Sequence, residues 1–107
     1  MMEIGEVAYG IEKDNDEDDL GTKLCAYAAK GELLEIKRFH RIHNKLDHVD
    51  YDDRSALHIA AAEGQFKVVE FLVKKGLDVN ARDKFGRTPI VDALMKGQRD
   101  IVRYLKD

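Results

Sequence analysis

Residues 50–74 read DYDDRSALHIAAAEGQFKVVEFLVK. A polar turn, DYDDR, comes first. Ser55 then stands where a helix N-cap belongs, ahead of the short apolar string ALHIAAA. Gly64 follows, the residue type that ends a helix in the left-handed conformation. Beyond it QFKVVEFLVK is apolar almost all round, through Val68, Val69, Phe71, Leu72 and Val73, so it must be buried on more than one side. A turn and two short helices of this kind cannot keep their own apolar surface dry. They need copies above and below.

The chain supplies the copies. Gly31, Gly64 and Gly97 are spaced by 33 residues, as are Asp50 and Asp83. AYAAKG at 26–31 aligns with IAAAEG at 59–64, Leu24 with Leu57, and Ile36 and Phe39 with Val69 and Leu72. In the third copy Asp83-Lys84-Phe85-Gly86 reads as a tight turn, with Thr88 as N-cap and Pro89 as first helical residue. In the first copy the pattern predicts helices over about 23–30, with Thr22 as cap, and over about 33–41. The last helix is predicted over about 99–105. Leu24, Leu57 and Ile90 should fill equivalent slots.

A period of 33 with one turn and two helices is the ankyrin pattern. Ser55-Ala56-Leu57-His58 and Thr88-Pro89-Ile90-Val91 stand where that family has Thr-Pro-Leu-His. From about Glu17 to Asp107 the chain resembles a three-repeat ankyrin domain. The resemblance implies an all-α solenoid of three helix-turn-helix repeats joined by β-turn loops. The repeats run over about 17–49, 50–82 and 83–107, within a domain at 20–107. The same strings look like the ankyrin tails of glutaminases, eukaryotic asparaginases, plant ankyrin kinases and plant potassium channels. Asp53 departs from the pattern by occupying the place of the turn glycine, a left-handed position that Asp tolerates better than most residues.

Residues 1–19 read as an acidic, disordered leader. Ile4, Val7, Ala8 and Ile11 have the spacing of one helical face, which gives a second reading: a segment that docks on the open face of the first repeat. Gly5 and Gly10 oppose a stable helix by about 1 kcal/mol each. The run Asp14-Asn15-Asp16-Glu17-Asp18-Asp19 fails as a calcium loop, because Asp19 replaces the required Gly and Cys25 the closing Glu. At the ends of the array, charged residues replace apolar ones: Glu35 for Val68, Arg38 for Phe71, Asp92 for Ile59 and Lys106 for Val73. Polar outer faces of this kind are expected of a finished, free-standing three-repeat array.

With 107 residues, 44% apolar and 36% charged, the composition suits one small helical domain. The formal charge of −3 hides an asymmetry: eight acids and one base in residues 1–20 leave the repeats mildly basic. The single Cys25 excludes an internal disulfide, and no apolar run is long enough for a membrane span. No signal peptide is evident, so a cytoplasmic or nuclear protein is expected. Basic residues alternate with acids instead of forming a stripe, so neither nucleic acid nor membrane is expected as a partner.

Chemistry finds no foothold either. Cys25 and His58 take the same place in adjacent repeats, about 8–10 Å apart, whereas a nucleophile and its base need about 3 Å. His40, His43 and His48 lack the convergence of three or four ligands that zinc requires. In the family the histidine at the place of His58 ties neighbouring turns together. No catalytic, cofactor or metal-binding residues are therefore expected, and the chain is read as a non-catalytic, monomeric interaction module.

Ankyrin domains bind partners through the concave surface of turn tips and inner-helix ends. By position, the tips here are Asp18, Asp19 and Gly21, then Tyr51, Asp52 and Arg54, then Lys84, Phe85 and Arg87. The helix positions are Ala29, Lys30, Ala62, Glu63, Met95 and Lys96. Tyr51, Asp52, Arg54, Glu63, Lys84, Phe85, Arg87, Met95 and Lys96 are the candidate binding residues. Their aromatic and basic character favours an acidic protein or peptide. A second reading makes the chain a regulatory or scaffolding module of, or derived from, a larger amidohydrolase or kinase.

Overall fold

A computed structural model describes residues 17–106 of the chain, and side chains over 20–106. The described residues form six helices: α1 Glu17–Lys30, α2 Leu33–His43, α3 Ala56–Glu63, α4 Phe66–Lys74, α5 Pro89–Met95 and α6 Arg99–Lys106. They pair as α1/α2, α3/α4 and α5/α6. The inner helices stack, α3 lying between α1 and α5. The three-repeat solenoid is as the period demands.

Local chemistry accounts for the helix ends. Ser55 is extended, and its Oγ accepts the His58 amide at 3.3 Å. The His58 ring answers by accepting the Ser55 amide at 3.1 Å, a capping box closed by histidine in place of Glu. Thr88 is the cap of α5 with Pro89 behind it, but its hydroxyl makes no capping bond; proline's fixed φ does the starting. Asp53 and Gly86 hold the same left-handed place in successive turns, at φ 60° and 80°.

The first repeat departs from expectation. α1 is already helical at Glu17, the first described residue and six ahead of the predicted start, so Thr22 lies exposed inside the helix and caps nothing. Gly21 is buried, and a Cβ on it would overlap the Val49 carbonyl. This close approach seats α1 against the following turn. Asp18, Asp19 and Gly21 therefore form no turn tip. Residues 1–16, with most of the predicted leader and half of the rejected calcium run, lie outside the described residues.

Leu24 and Leu57 are fully buried in equivalent slots, and Ile90 is half-buried at the open end. Ala28, Ala60, Ala61 and Ala93 keep the inner helices close, while Ile36, Phe39, Val68, Val69, Leu72 and Ile101 fill the layer beneath. In α4 the rod is less enclosed than its sequence implies. Val68, Val69 and Leu72 are buried, but Phe71 is half-buried, with the ammonium groups of Lys37 and Lys75 5.7 and 5.6 Å from its ring centre. Arg38 and Lys106 are exposed, and Glu35 and Asp92 half-buried, which is where charge at an outer face is tolerated.

Candidate functional site

Two successive turns build the lip of the concave face. In the first, Oδ1 of Asp50 accepts the amides of Asp52 and Arg54 at 2.9 and 3.0 Å. In the second, Oδ1 of Asp83 accepts those of Phe85 and Arg87, each at 2.9 Å. The Lys84 amide donates to the Asp52 carbonyl at 2.8 Å and joins the turns. Burial pulls the Asp83 carboxyl upward, but the amides of Arg87 and Phe85, with the charge of Arg87, outweigh it and hold it below the usual range.

His58 is the peg under this lip. Its Nε2 donates to the Arg87 carbonyl at 2.8 Å, across a repeat boundary, and its Nδ1 faces Ser55. Cys25 takes the same place one repeat earlier, where its Sγ donates to the Arg54 carbonyl at 3.5 Å. Burial pushes this thiol up to about 12, with the charge of Asp50 adding to the effect. The two side chains thus bond to successive turns rather than to each other, and no nucleophile–base pair exists between them.

Between the second and third repeats lies a cleft of about 200 Å³. Six of the nine candidate residues line it: Arg54, Glu63, Phe85, Arg87, Met95 and Lys96. Tyr51, Asp52 and Lys84 do not line it; Tyr51 projects from its turn, 84% exposed. Phe85 and Met95 are also largely exposed, and the Arg87 guanidinium lies 5.7 Å from the Phe85 ring centre. Arg54 is held inward, its Nε 3.1 Å from Asp50 and its Nη2 3.6 Å from Asp52. Its charge is already answered.

Residue-by-residue reading missed His58, Ile59, Asp83 and Asp92 as lining residues. Asp92 stood out in the sequence only as a charge in the place of Ile59. Burial raises its carboxyl above the ordinary value, and neighbouring Asp83 raises it further, against the lowering by Arg87 and Arg54. Three cations (Arg54, Arg87, Lys96) and three carboxylates (Glu63, Asp83, Asp92) line the cleft. The lining of this cleft carries equal numbers of formal positive and negative side chains.

His58, Asp83 and Asp92 bring ligand atoms within 4.8 Å of one another. They do not make a metal centre. Nε2 of His58 spends its proton on Arg87 and Nδ1 spends its lone pair on Ser55, while Asp83 is occupied by two amides. A larger groove, about 420 Å³, opens on the far face of the third repeat between α5 and α6. In the interfaces before it, Gln65 and Gln98 donate to the carbonyls of Ala29 and Ala62; nothing packs at Gly97 among the described residues. It is an open end of the stack. No helix among the described residues is long and apolar enough to cross a membrane.

Comparison with known proteins agrees with this architecture. A family model described as ankyrin repeats in three copies matches residues 7–83 and 24–107. Serine/threonine-protein kinase 12 of Arabidopsis thaliana is 34% identical over 88% of the chain and 20% of its own length. Potassium channel GORK of the same plant is 37% identical over 81% of the chain and 11% of the channel. The mitochondrial liver isoform of glutaminase from Mus musculus is 37% identical over 75% of the chain and 14% of the enzyme. The chain thus spans a fifth or less of the length of these relatives.

Proposed function

The chain belongs to the ankyrin-repeat family, whose repeats are generally protein-interaction modules, and on that premise we propose that it binds a protein or peptide through its concave face. Supporting this reading is the exposure of Phe85 and Met95 beside one cleft, flanked by Arg87 and Lys96. Large side chains left in water at a concave, polar-rimmed place are what an interface hot spot needs. Phe85 and Met95 supply the apolar contacts, Arg87 and Lys96 receive an acidic group of the partner, and Tyr51 and Lys84 reach from the lip. Arg54 and Asp52 hold the lip in shape. The module itself is read as non-catalytic and monomeric.

Affinity capture from the source cell, followed by titration of the captured partner, tests this. Phe85→Ala and Arg87→Ala should each weaken binding by about 10-fold or more, and Lys67→Ala, on an outer helix, by little. Unchanged affinity in both concave variants would remove the reading.

A second reading is favoured by the small share of each relative that the chain covers. Here the repeats regulate or scaffold a larger enzyme such as an amidohydrolase or a kinase. Sequencing the transcript on both sides of the codons for residues 1–107 decides whether a catalytic domain accompanies them.

A further inference from the structure

The first two repeats each hold their successor by the same three devices, and the third repeat has lost all of them. One is a side chain on the inner helix that bonds to the next turn. Cys25 reaches the Arg54 carbonyl and His58 the Arg87 carbonyl, whereas α5 has Val91 in that place. Another is a small residue where inner helices touch: Ala28, then Ala61, both fully buried, are followed by Leu94, 60% exposed. The last is an apolar stripe on the outer helix. In α4 it is Phe66, Val69 and Val73, with the Phe66 ring 5.3 Å from that of Tyr104; in α6 the same places hold Arg99, Val102 and Lys106. A further repeat at the spacing of the others would press on Leu94 and bury two cations. This face suits a different occupant.

We propose that the groove between α5 and α6 docks an acidic amphipathic helix of a partner protein. Its volume is about 420 Å³; Leu94 and Val102 supply apolar lining, Arg99, Arg103 and Lys106 supply charge, and no carboxylate lines it. Arg99, Val102, Arg103 and Lys106 recur at i, i+3, i+4 and i+7, so they form one stripe of α6. The three cations are exposed, and none is paired with a carboxylate among the described residues. Asp100, the acid of α6, falls off this stripe, and its Oδ1 accepts the Ile101 amide. The partner's apolar ridge seats on Leu94 and Val102, and its flanking carboxylates meet the three cations. A second copy stacked head to tail is a poorer match, because the cleft at the open end of its first repeat carries Lys23 and Arg38 beside one acid, Glu35. The groove shares no lining residue with the concave cleft, so this inference stands independently of the proposed concave partner.

The probe is a synthetic single helix with leucine along one stripe and glutamate flanking it, titrated into the isotope-labelled full-length chain. Its counterpart carries lysine in place of glutamate. The acidic helix should shift the resonances of Leu94, Gly97 and Val102 and leave that of Phe85 in place, with affinity falling by about 10-fold between about 0.05 and 0.5 M salt. Arg99→Glu/Arg103→Glu should weaken binding by about 10-fold or more, and Leu94→Ala, which restores the residue of the other repeats, by about 3-fold or more. Both arginines are exposed, so the double variant keeps its fold, which helical circular dichroism checks. Phe85→Ala should bind as the native chain does. Failure of the acidic helix to bind, equal binding of the lysine helix, or unchanged affinity in the double variant would overturn the proposal. Shifts centred on Phe85 would also overturn it while leaving the concave reading intact. So would Leu94 shifts that grow with protein concentration in the absence of peptide, since a second copy would then be the occupant.

Discussion

His58 links two repeats through one side chain, because its two ring nitrogens tie a helix start to the next turn. Replacing it with alanine leaves the Ser55 amide without its ring partner, takes one of two donors from the Arg87 carbonyl, which keeps the Asp83 amide, and leaves a void, so His58→Ala should cost about 2–4 kcal/mol by chemical denaturation. Cys25 has a milder version of the task. Its thiol keeps its proton in the folded chain up to about pH 12, while the unfolded chain, with the ordinary value of 9.0, has released it. The stability this represents is complete below about pH 9 and is lost as pH rises toward 12. Cys25→Ala should flatten that part of the stability profile, and native Cys25 should react slowly with disulfide reagents at pH 8. Asp92 points the other way. Its raised carboxyl means that the folded state resists the charge, so Asp92→Ile, which copies the middle repeat, should raise the unfolding midpoint by about 2–5 °C after allowance for solvent screening.

At the level of elements, the turns and α1 show what pattern reading gains and loses. Asp50 and Asp83 sit one period apart and make the same pair of amide bonds, so both turns were legible from their spacing. Asp83, held low, adds stability above the unfolded value near 3.8 that is lost as pH falls through its folded value. Asp83→Asn keeps an oxygen for the Phe85 and Arg87 amides and removes the charge. It should therefore be milder than Asp83→Ala at pH 7 and abolish this share of the acid sensitivity, both readable by urea titration. That α1 is already helical at Glu17 was not legible. Nothing in the local sequence says that Gly21 must approach the Val49 carbonyl, because that contact joins residues 28 apart in the chain. Gly21→Ala, helpful in an isolated helix, should here cost about 1–3 kcal/mol through displacement of α1.

As a whole molecule the array is held by neighbours rather than by any one repeat's interior. Val68, Val69 and Leu72 lie in the middle repeat between two others, and their loss should be felt along the whole stack. Val69→Ala should therefore shift a single unfolding transition, seen identically by tyrosine fluorescence and helical circular dichroism, instead of splitting it. The proposed binding surface belongs to this scale too. Phe85, Arg87, Met95 and Lys96 were readable as concave positions from the resemblance to ankyrin repeats, with the period placing them. That Arg54 is neutralised by Asp50 and Asp52, and that Asp92 enters the same cleft, depends on how adjacent repeats are offset. The sequence by itself determined the repeat, its helix pairs, its apolar ladder and the candidate lip, because a 33-residue period fixes which side chains recur in register. Only the tertiary structure decided the helicity of residues 17–22, the charge balance of the cleft and the exposure of Leu94, since each depends on distances between residues that no local pattern encodes.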